Sequence, residues 1–213
     1  MSTRLLTISD IVVDLLYSPY ISDRFPSLDI IISCGDLPYY YLDYIISNLN
    51  VPLYYVRGNH ASLMEYSEAG PRSAPLGGTD IHRRMINADG LLMAGIEGSL
   101  RYNRGPFQYT QGEMWGHVFS LVPALLANRL AHGRFLDVFI THAPPWEIND
   151  KPDLAHRGIR AFRWLLQVFK PSYHFHGHIH LYRPGDIWTT RFRQTDVINT
   201  YGYREQVISH GFE

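Results

Sequence analysis

Four histidines stand at every second position in the run Tyr173 to His180, and the last two, His178 and His180, follow Gly177. If the glycine bends the chain out of a strand, these two imidazoles can point into the same cleft. Neutral histidine is the commonest nitrogen ligand of transition metals, so the pair is suited to holding an ion. The same spacing is also typical of an alternating strand with one solvated polar face. The run alone leaves both interpretations open.

The composition is that of an ordinary globular protein. Of 213 residues, 46% are hydrophobic and 18% charged, and the formal net charge is −1. We expect one domain spanning residues 1–213, and the weak charge argues against a nucleic-acid partner bound mainly through phosphates. Cys34 is the sole cysteine, so no internal disulfide can form, which favours a reducing, cytoplasmic compartment. No signal-peptide pattern or long apolar run is present, so we expect no membrane partner.

Apolar strands and helices are predicted to alternate near the start of the chain. Strands are expected at residues 4–9, 28–33 and 52–56, with helices at 11–17 and about 40–49. Asp10 is a possible N-cap of the first helix. This alternation predicts βαβ units with right-handed crossovers, in which the site lies at the carboxyl ends of the strands.

The rest of the chain continues the mixed pattern. Residues 61–80, rich in glycine and proline, are predicted to form a long loop over the site. A hairpin is expected across Asp89-Gly90, joining strands at 85–88 and 91–96. Further expected elements are a helix at 113–132 kinked at Pro123, a strand at 136–141, a helix at 159–169, and strands at 187–192 and 195–199. For the tyrosine run 39–41, packing of a helix face is favoured over stacking of a flat ligand.

Metal-competent side chains follow the predicted strand ends. They are Asp10, Asp36, Asn59 with His60, His142, and His178 with His180. Each has a local alternative: the aspartates could cap helices, Asn59 could occupy a left-handed turn, and His142 could be a core histidine. Such side chains at five consecutive strand ends together indicate a metal centre.

The order of these motifs resembles that of the calcineurin-like metallophosphoesterases. The matching motifs are Gly35-Asp36, Gly58-Asn59-His60, Thr141-His142-Ala143-Pro144-Pro145 and Gly177-His178-Ile179-His180. Each motif is weak alone, but the ordered set is specific. The turn from Gly95 to Ser99 and the late Asn199 are similar to features of the small prokaryotic members. The resemblance covers residues 10–199 and implies an α/β fold, a four-layer α/β/β/α sandwich of two mixed sheets flanked by helices, with a two-metal hydrolytic site.

The resemblance also implies roles for these residues. Asp36 would bridge both metals, Asn59, His142 and His178 would complete one position, and Asp10 and His180 would serve the other. His60 would face the phosphate, where it stabilises the transition state or protonates the leaving alkoxide. A mixed nitrogen and oxygen ligand set admits manganese, iron, zinc, nickel or cobalt. The implied reaction is direct hydrolysis of a phosphoester by a metal-activated water.

The chain departs from the family pattern at two positions. The usual first motif is Asp-x-His, whereas this chain has Asp10-Ile11-Val12, and Ala61 replaces the usual acidic residue after Gly-Asn-His. Because valine cannot coordinate a metal, the position served by Asp10 and His180 lacks one protein ligand, which water or Asp14 could replace. We therefore expect one tight metal and one weak metal.

The expected substrate is a small phosphomonoester or phosphodiester. Arg57, Arg101 and Arg104 are candidate phosphate-binding residues, although each could equally be a solvated surface arginine. Two other functions stay open: a non-catalytic or weakly catalytic protein-docking module on the same scaffold, and a nuclease. Retention of His60 argues against the first, and the near-neutral charge argues against a duplex-binding form of the second. The sequence does not indicate the oligomeric state.

Overall fold

A computed structural model describes residues 1–67, 70–183 and 185–211, which contain four helices and fifteen strands. The helices are α1 (Ile21–Arg24), α2 (Tyr39–Leu49), α3 (Gln111–His132) and α4 (Arg160–Phe169). The strands are β1 (Ser2–Ser9), β2 (Ile30–Ser33), β3 (Leu53–Tyr55), β4 (Glu65–Ser67), β5 (Gly70–Arg72), β6 (Gly78–Asp80), β7 (Met85–Ala88), β8 (Leu91–Ile96), β9 (Ser99–Leu100), β10 (Gln108–Tyr109), β11 (Val138–Thr141), β12 (Tyr173–His176), β13 (Thr189–Phe192), β14 (Thr195–Asn199) and β15 (Gly202–Ser209).

Two larger sheets dominate the described residues, and both are mixed. The first has the order β15-β1-β2-β3-β6, with β1, β2, β3 and β6 parallel and β15 antiparallel to β1. The second has the order β13-β14-β12-β11-β8-β7, in which only the outer strands β13 and β7 run antiparallel to their neighbours. Two short pairs, β4 with β5 and β9 with β10, complete the strand pairing among these residues.

Alternate residues of the central strands enter different hydrophobic cores. In β2, Ile31 packs with α2, whereas Ile30 and Ile32 pack between the two sheets. In β11, Val138 and Ile140 face the first sheet, whereas Phe139 faces α3 and α4. Because successive strand side chains point to opposite faces, near-continuous apolar runs are required where both faces are covered. The predicted α/β/β/α sandwich, the metallo-dependent phosphatase fold, is confirmed.

The predicted helix at residues 11–17 is wrong. Asp10 has a φ of 69°, whereas a helix N-cap normally adopts extended backbone angles. Its carboxylate accepts the backbone N–H of His178 at 2.9 Å rather than capping a helix. Residues 11–17 form turns instead, and the first helix begins at Ile21.

The predicted loop at residues 61–80 contains strands. β4 and β5 form a small antiparallel hairpin, and β6 extends the first sheet beside β3. Glu65 accepts the backbone N–H of Tyr39 at 2.8 Å, and Arg72 forms an ion pair with Asp43, so the hairpin is attached to α2. The long edge strand β15 was also not predicted.

Other predicted elements are confirmed within a few residues. The hairpin of β7 and β8 turns at Asp89-Gly90, and α3 continues through Pro123. In the tyrosine run, Tyr41 is buried in the core under α2, Tyr39 is buried beside Arg72, and Tyr40 is half exposed. Among the described residues, none of the helices is both long and apolar enough to cross a membrane.

Candidate metal centre

The candidate ligands lie shortly after strands that run parallel. β1, β2 and β3 are neighbours in the first sheet and precede Asp10, Asp36 and Asn59. β11 and β12 are neighbours in the second sheet and precede His142 and His178. Because the carboxyl ends of parallel strands meet at one edge, each sheet collects its polar residues there. Contacts between the two groups show that the two edges adjoin.

Three of these residues leave their strands in a left-handed backbone conformation. The φ angle is 69° at Asp10, 57° at Asp36 and 67° at His178. Positive φ is uncommon outside glycine and concentrates at functional sites, where the surrounding structure holds it in place. The turns end the strands abruptly and allow the three side chains to meet across the edge.

Three donor atoms converge on Nε2 of the His142 imidazole. Its Nε2 atom lies 3.1 Å from Oδ2 of Asp36, 3.0 Å from Oδ1 of Asn59 and 3.2 Å from Nδ1 of His178. Ligands of one ion at bond lengths of about 2.0–2.2 Å are separated by about 3 Å when they are adjacent. These residues therefore fit a shared divalent cation. The donor atoms of Asp36, His142 and His178 all lie within 4.8 Å of one another.

Backbone carbonyls orient the two buried imidazoles. Nδ1 of His142 donates to the carbonyl of Cys34 at 2.8 Å, and Nε2 of His178 donates to the carbonyl of Ala155 at 2.8 Å. In each neutral ring the other nitrogen then carries the lone pair. Metal-binding histidines are usually fixed by such a second hydrogen bond. The nitrogens that face each other in the site are the two available to a metal.

The charge state of the site is set by one carboxylate and one imidazole. Burial opposes ionisation of Asp36, but the adjacent His142 outweighs it and lowers the pKa of this carboxyl to about 2. Burial likewise opposes protonation of His142, but Asp36 outweighs it and raises the pKa of this imidazole to about 9. Burial, and then His142, lowers the pKa of His178 to about 3. A divalent cation binding here would displace the His142 proton, since ligating histidine must be neutral.

Asp10 and His180 lie at the side of this cluster. Oδ1 of Asp10 accepts the His178 backbone N–H, while Oδ2 is buried without a hydrogen-bond partner among the described residues. Burial raises the pKa of the Asp10 carboxyl. Nε2 of His180 lies 3.9 Å from Oδ1 of Asp10, and its ring is 39% exposed. The unpartnered carboxylate oxygen fits a second cation, but the donor set is looser than that around His142.

His60 lies at the open side of the cluster. Its backbone N–H donates to Oδ1 of Asp36 at 2.7 Å, and its exposed ring borders a cavity of about 160 Å³. Nε2 of His60 lies 3.3 Å from the hydroxyl of Tyr102, and the same hydroxyl accepts from Nδ2 of Asn59 at 3.0 Å. Tyr102 was not predicted as a site residue. It belongs to no motif, and only its place in an irregular, tyrosine-containing stretch after the Gly95–Ser99 turn could have suggested it.

Two of the three candidate phosphate-binding arginines are engaged elsewhere. Arg57 forms ion pairs with Asp80 at 3.1 Å and Glu97 at 3.6 Å. Arg101 pairs with Glu113 at 3.0 Å and also donates to the carbonyl of Gln108. The structure therefore does not bring either guanidinium to the metal cluster as an unpaired group, and their role in substrate binding stays a prediction.

The remaining histidines of the opening run have structural partners. His174 and His176 lie fully buried in β12. Nε2 of His174 bonds to the Thr141 hydroxyl at 2.8 Å, and Nδ1 of His176 donates to the Gly177 carbonyl at 2.9 Å. The first half of the run is a strand, but its histidines are buried rather than solvated, and the second half carries His178 into the cluster.

Gly58 leaves room for the carboxylate of Asp36. A Cβ atom at residue 58 would lie 2.1 Å from Oδ1 of Asp36 and 2.7 Å from Cε1 of His142. We expect Gly58→Ala to displace this carboxylate and to destabilise the fold by about 1–3 kcal/mol, the usual cost of overpacking. Denaturant unfolding would measure the change.

The matched control for this substitution is Gly116→Ala. Gly116 is exposed in α3, and a Cβ atom there would meet nothing within 4 Å. Alanine is a better helix former, so this variant should gain up to about 1 kcal/mol. A Gly58→Ala protein as stable as the Gly116→Ala protein would contradict the close approach.

A family model described as Calcineurin-like phosphoesterase matches residues 4–182 of this chain. The chain belongs to this family. The match extends over all the candidate ligands from Asp10 to His180.

Solved structures agree with the calcineurin-like phosphoesterase assignment at the level of the fold. A crystal structure of the protein TT1561 of Thermus thermophilus is 16% identical, with a TM-score of 0.63 over 95% of this chain and 90% of that chain. Another crystal structure, 14% identical, has a TM-score of 0.61 over the full length of both chains. A search of the curated proteins found no significant match.

In this calcineurin-like phosphoesterase, the segment after Asp10 supplies no additional ligand side chain at residue 12. Val12 is 37% exposed and has only aliphatic side-chain atoms. Asp14, considered above as a replacement ligand, is exposed in the turn that follows. The family assignment and the cluster around His142 together support a metal-binding phosphoesterase scaffold.

Proposed function

We propose that this chain is a metal-dependent phosphoesterase that hydrolyses a small phosphomonoester or phosphodiester. The observation that carries the proposal is the convergence of Asp36, Asn59 and His178 on Nε2 of His142 beside the exposed ring of His60. Residues 1–213 would form one catalytic domain that acts in the cytoplasm.

Two divalent transition-metal ions, of manganese, iron, zinc, nickel or cobalt, are the proposed cofactors. Asp36, Asn59, His142 and His178 would hold one, and Asp36, Asp10 and His180 the other, more weakly because Val12 offers no donor. When bound, such ions supply a hydroxide nucleophile near neutral pH and neutralise phosphate oxygens. The mixed nitrogen and oxygen donors, with the unpartnered Oδ2 of Asp10, fit this role.

The side chains of the protein perform the rest of the reaction. Asp36 accepts the His60 backbone N–H through Oδ1, which places His60 at the rim of the cavity. From there the His60 imidazolium would give its proton to the leaving oxygen as the phosphorus–oxygen bond breaks, or would stabilise charge on the phosphate. A positioned acid of this kind contributes about 10²–10⁴-fold.

Replacing His60 by alanine should reduce turnover by about 10²–10⁴-fold while leaving metal binding nearly unchanged. The assay uses p-nitrophenyl phosphate and bis-p-nitrophenyl phosphate with added manganese. The matched control is His132→Ala, an exposed histidine at the end of α3, which should retain wild-type activity. Activity insensitive to His60→Ala would contradict the proposal.

A leaving-group comparison separates the two roles of His60. Phenyl phosphate releases a phenoxide whose conjugate acid has a pKa of about 10, so its departure depends on protonation more than that of p-nitrophenoxide. If His60 is the acid, His60→Ala should lose more activity with phenyl phosphate. If His60→Ala loses the same fraction of activity with both substrates, His60 stabilises charge on the phosphate instead. No activity with any of the five metals would instead favour a non-catalytic docking module.

A further inference from the structure

We infer that Tyr102 is a positioning residue of the phosphoesterase site, with its hydroxyl fixing both Asn59 and His60. The inference rests on the proposed function and adds a residue that lies outside every motif. Tyr102 comes from the irregular stretch between β9 and β10, whereas Asn59 and His60 follow β3. A single side chain therefore connects the ligand loop of the first sheet to a separate loop.

The first contact orients the amide of Asn59. Nδ2 of Asn59 donates to the Tyr102 hydroxyl at 3.0 Å, and Oδ1 of Asn59 lies 3.0 Å from Nε2 of His142. Only the oxygen of an amide can bind a cation, since its nitrogen carries hydrogens rather than an available lone pair. By holding the nitrogen, Tyr102 turns the oxygen of this buried amide toward the metal cluster.

The second contact restrains the ring of His60. Nε2 of His60 lies 3.3 Å from the same hydroxyl. A tyrosine hydroxyl has one hydrogen to donate and two lone pairs, so it can accept from Asn59 and still bond either to Nε2 or to Nε2–H. The exposed ring would thus keep its orientation whether or not that nitrogen carries a proton.

A network of short-range contacts holds Tyr102 in place. Its backbone N–H donates to Oε1 of Gln108 at 3.2 Å, and the buried side chain of Gln108 also donates to Asn103 at 2.7 Å. Arg101 donates to the Gln108 carbonyl at 3.2 Å and pairs with Glu113. Arg101, predicted to bind phosphate, is here a structural support for the residue beside it.

The test is Tyr102→Phe, which removes the hydroxyl and keeps the ring. Titration calorimetry with manganese should give an affinity lower by about 10–100-fold at the position served by Asn59, the range typical of a lost outer contact. Turnover should fall with little change in KM, while the thermal unfolding midpoint of the metal-free protein stays near the wild-type value. The matched control is Tyr20→Phe, a tyrosine that is 71% exposed, which should change none of these quantities.

A double-mutant cycle completes the test. If Tyr102 acts through His60, its effect on turnover should shrink when His60→Ala is already present. Wild-type manganese affinity and turnover in Tyr102→Phe would overturn the inference and leave the proposed function intact. Absence of binding by the wild-type protein to all five candidate metals would overturn both.

Discussion

Replacing His178 by alanine should abolish phosphoesterase activity at every manganese concentration, whereas His180→Ala should be partly restored by excess manganese. Nδ1 of His178 is buried within 3.2 Å of Nε2 of His142, and its ring is fixed by the Ala155 carbonyl. The substitution would remove a buried donor atom from the proposed tight metal position. His180, by contrast, is 39% exposed and 3.9 Å from Asp10.

The two variants separate the two metal positions. Activity of His180→Ala should be lower by about 10–100-fold at limiting manganese and should recover as the concentration rises, as expected for a weakened site. Calorimetry on the wild-type protein should give one tight and one weak binding event. His178→Ala retains the backbone N–H that holds Asp10, so its loss of activity would not come from release of that carboxylate. If excess manganese restores the activity of His178→Ala but not that of His180→Ala, the two metal positions are exchanged.

Replacing Asp36 by asparagine should reduce activity to background, because this carboxylate is the proposed bridge between both metals. The substitution keeps the shape and can still accept the His60 backbone N–H. It removes the negative charge that would offset repulsion between two neighbouring cations. Steady-state assays across manganese concentrations would measure the loss, with Asp23→Asn, an exposed residue of α1, as the control. Activity within tenfold of wild type would exclude the bridging role.

The metal-free protein offers a second measurement on the same variant. Because the pKa of Asp36 is lowered in the fold, its carboxylate stabilises the protein at pH values above about 3.8, its pKa in the unfolded chain. This stabilisation is lost as the pH falls toward 2. Because the pKa of His142 is raised in the fold, its imidazolium stabilises the protein at pH values below about 6.5, its pKa in the unfolded chain. This stabilisation is lost as the pH rises toward 9. The difference in the free energy of unfolding between the wild-type protein and Asp36→Asn should therefore be greatest between about pH 4 and 6.5. Thermal unfolding at several pH values would check this.

The sequence predicted where a residue lies in the fold when that position depends on the local hydrophobic pattern. Apolar runs ending in polar turns located Asp10, Asp36 and Asn59 at one sheet edge, because a buried parallel strand has a strong hydrophobic signal. The same runs predicted βαβ units, whereas the four-layer sandwich was implied by the resemblance to the calcineurin-like metallophosphoesterases. The roles of the candidate ligands stay predictions, for which the geometry around His142 provides a physical basis.

Features fixed by distant partners were not predictable. The segment 11–17 was expected to be helical, but a hydrogen bond from His178 draws the Asp10 carboxylate away from any capping role. Arg57 and Arg101 were predicted to bind phosphate, because the sequence alone does not show that Glu97 and Glu113 lie beside them in the fold. Tyr102 has an ordinary local context, and only its contacts with Asn59 and His60 distinguish it.

The hydrogen bonds that cross between the two sheets determine when the centre can exist during synthesis. His142 bonds to Cys34, 108 positions earlier, and His178 bonds to Asp10, 168 positions earlier. Contacts of such long sequence separation form late, after the intervening chain has been ordered. A nascent chain that has not yet exposed β12 lacks one imidazole of the cluster and the N–H that holds Asp10. The full set of candidate ligands is therefore brought together only after synthesis has passed His180 and the two sheets have packed against each other.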